Sequence, residues 1–197
     1  MPRSEEQNKA LRDYRRAKIL DRALKLFAIK GFDDVTVDDI MLSTNCAHGL
    51  FYHYFRSKED VFNALVKIKE EKYKDYLIPQ ADAIAAGGIK GLKILSDYCE
   101  KIISGPDEVA YFCRISTIRH YTVTNYNEAI LGDGPFPNLI RLVEEGQKEG
   151  AVRAGNPCEI ANMFVDFCNG AMYRRIVEGS EKYCPISSES IMHIFQK

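Results

Sequence analysis

Residues 48–60 read HGLFYHYFRSKED, the densest run of chemically capable side chains in the sequence. Phe51 and Phe55 stand four apart, so a helix here anchors through both and turns His48, Gly49, Leu50, Tyr52 and His53 to its other side. That side would present imidazoles, a phenol, an aliphatic chain and a gap left by glycine. Ser57 is placed to cap the next helix, with Asp60 at its N3 position, and Lys58 opens that helix. A helix N-terminus and an ammonium group both favour a phosphate oxygen, so Lys58 suits contact with a phosphate.

Other chemistries lack their parts. His48 and His53 belong to the run above, while His120 and His193 have no H-x-x-E-H or comparable partner. No glycine-rich phosphate loop is present, and no cofactor or bound metal is expected. Cysteines 46, 99, 113, 158, 168 and 184 form no C-x-x-C pair, which argues against structural zinc and a dense disulfide framework. They read as reduced thiols acting as small hydrophobes, with a redox-sensing role left open. No apolar run approaches the roughly 20 residues that cross a bilayer, and no signal-peptide pattern opens the chain. A cytoplasmic protein without a membrane partner is expected.

Of 197 residues, 46% are hydrophobic and 28% charged, as in an ordinary globular protein of one or two small domains. The net charge of -1 hides a gradient. Residues 1–30 hold nine Lys or Arg against four Asp or Glu, a basic arm that suits a polyanion.

The elements that must position the run are helical nearly throughout, and an all-α fold is expected. A first helix spans about Gln7 to Lys30, with Ile19, Leu20, Ala23, Leu24 and Phe27 as its apolar stripe and Gly31 as its stop. Thr36 caps a second helix, with Asp39 at N3 and Val37, Ile40 and Met41 facing inward. A left-handed turn at Asn45-Cys46 leads to a short helix over about Ala47–Tyr54. Helix 4 buries Val61, Phe62, Leu65 and Val66. Further helices are predicted on Leu92–Ile103, from Pro106 to near His120, up to Glu149, over Pro157–Glu178 and over Ser188–Gln196. The Pro157–Glu178 helix is apolar around most of its circumference and must be covered on several sides, by a second subunit or as the central helix of a monomer.

Three short helices with a tight turn between the second and third can deliver a helix to a DNA major groove. Thr36-Val37-Asp38-Asp39-Ile40, Gly49, Phe51–Phe55 and Ser57–Phe62 resemble the tetracycline-repressor (TetR) family, which reads about T-V-x-D-I-A, A-G-V-S-x-G-T-L-Y-x-Y-F and x-S-K-E-x-L-F here. The resemblance covers residues 15–66. It implies a helix-turn-helix DNA-binding domain over 1–56 and a helical ligand-sensing and dimerisation domain over 57–197. It also implies DNA contacts from Thr36, His48, Gly49, Leu50, Tyr52, His53 and Lys58. Two positions depart from the family pattern. Ala47 stands where a hydroxyl normally caps the third helix, and Leu50 replaces a hydroxyl residue that faces DNA.

By the same resemblance the chain is a repressor that binds a palindromic double-stranded operator as a homodimer and is released by a small-molecule effector. A pocket is expected among Tyr98, Tyr111, Phe112, Arg114, His120, Phe136, Phe164 and Phe167, with Arg114 available to a ligand carboxylate. A dimer seam is expected on Phe164, Cys168, Ala171, Met172, Ile191 and Phe195. A satisfied core or dimer seam is the alternative reading of the pocket residues. Two other functions stay open: a DNA-binding regulator controlled by oxidation or a protein partner, and a helical enzyme.

Overall fold

Ser4 ends its side chain on the backbone N–H of Gln7, and the Gln7 amide returns a bond to the Ser4 N–H, so the first helix begins two residues earlier than its apolar stripe indicates. The computed structural model describes residues 4–45, 48–73, 79–123 and 138–196, with the side chains of 48, 70 and 116–123 left aside. Among the described residues all regular structure is helical, and no helix is long and apolar enough to cross a membrane.

The chain divides into two compact units, 1–72 and 73–197. The first holds α1 (Glu5–Lys30), α2 (Val37–Thr44), α3 (His48–Tyr54) and α4 (Lys58–Lys72). Its core is made by Ile19, Leu20, Ala23, Leu24 and Phe27 of α1, Ile40 and Met41 of α2, Phe51 and Phe55, and Val61, Phe62 and Leu65 of α4. The rings of Phe27, Phe32 and Phe62 meet pairwise at 5.1–5.7 Å and join α4 to the end of α1. The unit therefore continues to Lys72 and does not end near Arg56, because the apolar face of α4 is needed to close this core.

Two turns set the geometry. Gly31 stops α1 with φ +91°, a value that a side chain disfavours. Asn45 ends α2 in the left-handed conformation (φ 52°, ψ 38°) and accepts the turn role that glycine often fills. Cys46 and Ala47, including the uncapped position expected at Ala47, lie outside the described residues.

The second unit contains α5 (Gln80–Ala86), α6 (Gly88–Ser104), α7 (Asp107–Val123), α8 (Leu139–Lys148), α9 (Pro157–Glu178) and α10 (Ser188–Met192). Helix α5 has no sequence-level counterpart: its alanine-rich stretch gives no apolar period, and Ala83 alone is buried. It packs on α6 where Gly91 leaves no Cβ to strike the Ala83 carbonyl. The main core gathers Leu92, Leu95 and Cys99 of α6, Leu142 and Val143 of α8, Phe164 and Cys168 of α9, and Ile191 and Phe195. Glu145 of α8 and Glu149 just past its end accept the Gly88 and Ile89 N–H groups at 3.0 and 3.2 Å, capping α6 from outside its own sequence. Arg141 at 2.7 Å, together with the Gly88 N–H, holds the Glu145 carboxyl below its usual pKa.

Helix α10 is shorter than the expected Ser188–Gln196. Past Met192 the chain tightens into i→i+3 bonds, and Arg153 draws off the last carbonyls through its N–H to Phe195 O (2.7 Å) and its Nε to Ile194 O (2.9 Å).

Candidate nucleic-acid interface

Helix α3 is seven residues long and has one face committed. Phe51 is fully buried and Phe55 nearly so, their rings 6.0 Å apart, and the Arg16 guanidinium lies 5.1 Å from the Phe55 ring centre. Advancing 100° per residue from that anchor places Gly49 and His53 at the centre of the opposite face, flanked by Tyr52 and Leu50. The exposures agree: Gly49 and His53 are exposed, Tyr52 is 56% exposed, and Leu50 is half-buried. A Cβ built on Gly49 meets nothing within 4 Å, so the surface there is open. His53 meets the Tyr54 ring edge-on at 5.1 Å, and the His48 side chain is not described.

Two expected DNA contacts have their side-chain donors committed within the chain. The Thr36 hydroxyl gives its only proton to Asp39 Oδ2 at 2.7 Å and accepts the Asp39 N–H at 3.1 Å. These bonds complete the capping box, and the Thr36 bonds hold the Asp39 carboxyl below its ordinary pKa. Lys58 Nζ donates to the carbonyls of Phe32, Asp33 and Val35 at 2.9, 3.1 and 3.0 Å while lying 4.5 Å from the Phe32 ring centre. An ammonium has three N–H donors, and all three are used. Lys58 therefore ties the start of α4 to the loop between α1 and α2; the phosphate contact expected of it conflicts with this geometry.

Arg56, which sequence reasoning passed over, is exposed between α3 and α4. Its backbone N–H bonds Asp60 Oδ2 at 3.2 Å, and Ser57 Oγ accepts the Asp60 N–H at 3.3 Å, fixing the bend that carries it. Its signal was its place beside the anchored Phe55, a position from which a guanidinium can reach along a groove wall.

The residues expected to line a ligand pocket separate into different surroundings. Phe164 is fully buried and packs on Phe195 at 5.3 Å in the main core, with Phe167 half-buried beside that core. Tyr98 packs against both that core and the cluster of Ile102, Val109 and Cys113, its hydroxyl 3.9 Å from Cys113 Sγ, and burial pushes its phenol pKa well up. Phe112 is buried against Tyr73 at 5.2 Å, and Tyr111 is half-buried. Arg114 is half-buried 5.4 Å over the Tyr173 ring. The deeply buried arginine is Arg175, 5% exposed on α9, whose guanidinium bonds Asp107 Oδ1 at 2.7 Å and the Gly105 carbonyl. Phe136 and the His120 side chain lie outside the described residues. A surface groove of about 460 Å³, lined by Ile89, Lys93, Met192 and His193 among others, contains none of the expected residues.

The expected dimer seam is corrected as well. Phe164, Cys168, Ala171, Ile191 and Phe195 are all at most 6% exposed within one chain, so they build its interior and have no surface to offer a partner. Met172 is half-buried against the smaller cluster around Ile102. The exposed apolar side chains of α9 are instead Met163, Tyr173 and Val177.

Residues 19–65 match the model of bacterial regulatory proteins, tetR family. The biofilm operon icaADBC HTH-type negative transcriptional regulator IcaR of Staphylococcus epidermidis is 34% identical over 65 residues, 33% of this chain and 35% of that protein. IcaR of Staphylococcus aureus is 42% identical over 50 residues, 25% of this chain and 27% of its own length. The chain thus matches about a third or less of these curated relatives. Over nearly its whole length it is similar in fold to apo AibR, at 14% identity and TM-score 0.58, covering 92% of this chain and 98% of that one. It is also similar to AibR in complex with isovaleryl coenzyme A and operator DNA, at 16% identity and TM-score 0.53, covering 91% and 94%. Joined to the Thr36–Asp39 box, the Asn45 turn and the Phe51/Phe55 anchor, the match over residues 19–65 makes the N-terminal unit similar to the tetR family of bacterial regulatory proteins.

Proposed function

We propose that the chain is a transcriptional repressor that binds a palindromic double-stranded operator as a homodimer and is released by a small-molecule effector. The observation that carries the reading is the division of α3, which locks Phe51 and Phe55 into the core and leaves Gly49, Tyr52 and His53 on an open face. A short rigid helix presenting hydrogen-bonding tips beside an open glycine suits the major groove, where base edges carry donors and acceptors. Tyr52, His53 and Arg56 then supply the groove and phosphate contacts, and the basic residues of α1 from Lys9 onward add attraction to the polyanion.

The homodimer rests on α9. Met163, Gly170 and Val177 recur every seven residues with Tyr173 beside them, all exposed, and Gly170 leaves room for a backbone to approach. The apolar side chains of this face, which also carries exposed Asp166 and Arg174, gain by pairing with their own copy about a two-fold axis. Two copies place two α3 helices against half-sites about 34–36 Å apart. A role for a small molecule draws support from the AibR complex, in which a protein of similar fold is seen with isovaleryl coenzyme A and operator DNA.

The test is selection of bound duplexes from genomic fragments by the full chain, followed by titration with Tyr52→Ala and His53→Ala. Recovery of a two-fold symmetric sequence, with at least tenfold weaker binding by the double variant, is expected. Unselective recovery, or binding indifferent to both substitutions, would overturn the reading.

A further inference from the structure

Leu50 is the aliphatic side chain on the outer half of α3, between the open backbone at Gly49 and the core-locked Phe51. It is half-buried, so part of its side chain is already out of water before any partner arrives. A Cβ built on Gly49 meets nothing within 4 Å, so the surface beside Leu50 toward the centre of the outer face is open. Tyr52 and His53, its neighbours on that face, end in groups that donate or accept hydrogen bonds, whereas Leu50 can do neither.

The major groove offers such a side chain one natural partner. Every base edge there presents donors or acceptors except at the C5-methyl group of thymine. Pressed against a guanine, adenine or cytosine edge, Leu50 would strip water from a polar atom without replacing its hydrogen bond. Pressed against a thymine methyl, it buries apolar surface on both sides.

We infer that Leu50 is a specificity-determining residue that reads the methyl group of one thymine in each operator half-site. The inference rests on the DNA-binding reading above and deepens it by naming the chemical group that is read.

The full chain is used to select an operator from random duplexes. Each thymine of one half-site is then replaced by deoxyuridine, which removes the methyl and keeps the base pair, and affinity is measured by fluorescence anisotropy at fixed salt. One replacement is expected to weaken binding about fourfold, the worth of one buried methyl, while the others change it less than twofold. Leu50→Ala and Leu50→Gln, checked for an unchanged helical spectrum, are expected to bind the thymine and deoxyuridine duplexes equally. If no deoxyuridine position matters to the wild-type chain, or if the preference persists in both variants, the assignment to Leu50 is overturned while DNA binding itself stands. A chain that selects no duplex at all overturns both.

Discussion

Helices α3 and α9 each carry aromatic residues on more than one side, and they leave very different surfaces uncovered. Helix α3 buries Phe51 and Phe55 and exposes Tyr52 and His53, aromatics with polar tips. Helix α9 buries Phe164, Val165, Cys168 and Ile176 and exposes Met163, Tyr173 and Val177 around an uncovered Gly170. The first surface satisfies water when free and can exchange those hydrogen bonds for base or phosphate contacts. The second is costly to leave in water and gains from another apolar surface. One chain thereby exposes polar-tipped aromatics on a helix of one unit and apolar side chains on a helix of the other.

The strongest way to break the comparison is to remove the anchors. Phe51→Ala should cost about 3–5 kcal/mol and melt the N-terminal unit. Phe164→Ala should cost a similar amount in the C-terminal unit and leave the N-terminal transition in place. Two calorimetric transitions responding separately would verify this, and a single shared shift would contradict it.

The inward and outward cations can be separated next. Lys58→Gln should lower the stability of the N-terminal unit by about 1.5–3 kcal/mol, as expected for charge-assisted hydrogen bonds to three carbonyls. Arg56→Ala should leave the melt unchanged and reduce the slope of log affinity against log salt by about 1. A reversal, with Lys58 governing the slope, would return it to the phosphate role.

On α9, Met163→Glu with Val177→Glu should yield a folded chain with half the assembled mass by light scattering at micromolar concentration. An unchanged mass would mean that the dimer forms elsewhere or not at all.

The smallest effect is in acid. The Asp39 carboxyl is held below its usual value chiefly by the Thr36 hydroxyl, then by the Thr36 N–H. Its folded pKa is depressed, so its contribution is present above the unfolded value near 3.9 and fades as pH falls through the lower folded value. The N-terminal unit should lose stability below about pH 4, and Thr36→Ala should blunt that loss in an acid titration followed by circular dichroism.

Local devices were legible in the residue order. Thr36–Asp39, Asn45, Ser57–Asp60 and the Asn156-Pro157 start of α9 act within one turn, so composition and spacing suffice to place them. The four-residue spacing of Phe51 and Phe55 likewise determined which side of α3 is buried, because a seven-residue helix has one face to anchor. Only the tertiary structure decided where donors and apolar faces are spent. Lys58 meets carbonyls 23 to 26 residues away. Among the described residues the deeply buried guanidinium is that of Arg175, held by Asp107 across 68 positions, while Arg114 is half-buried over Tyr173. Helix α9 is apolar on nearly every side, so periodicity could not tell its interior residues from its exposed ones. Packing by α6, α8 and α10 selected Phe164 and Cys168 for the core and left Met163 and Val177 outside, since burial depends on what a fold brings together and not on the residue's own hydrophobicity.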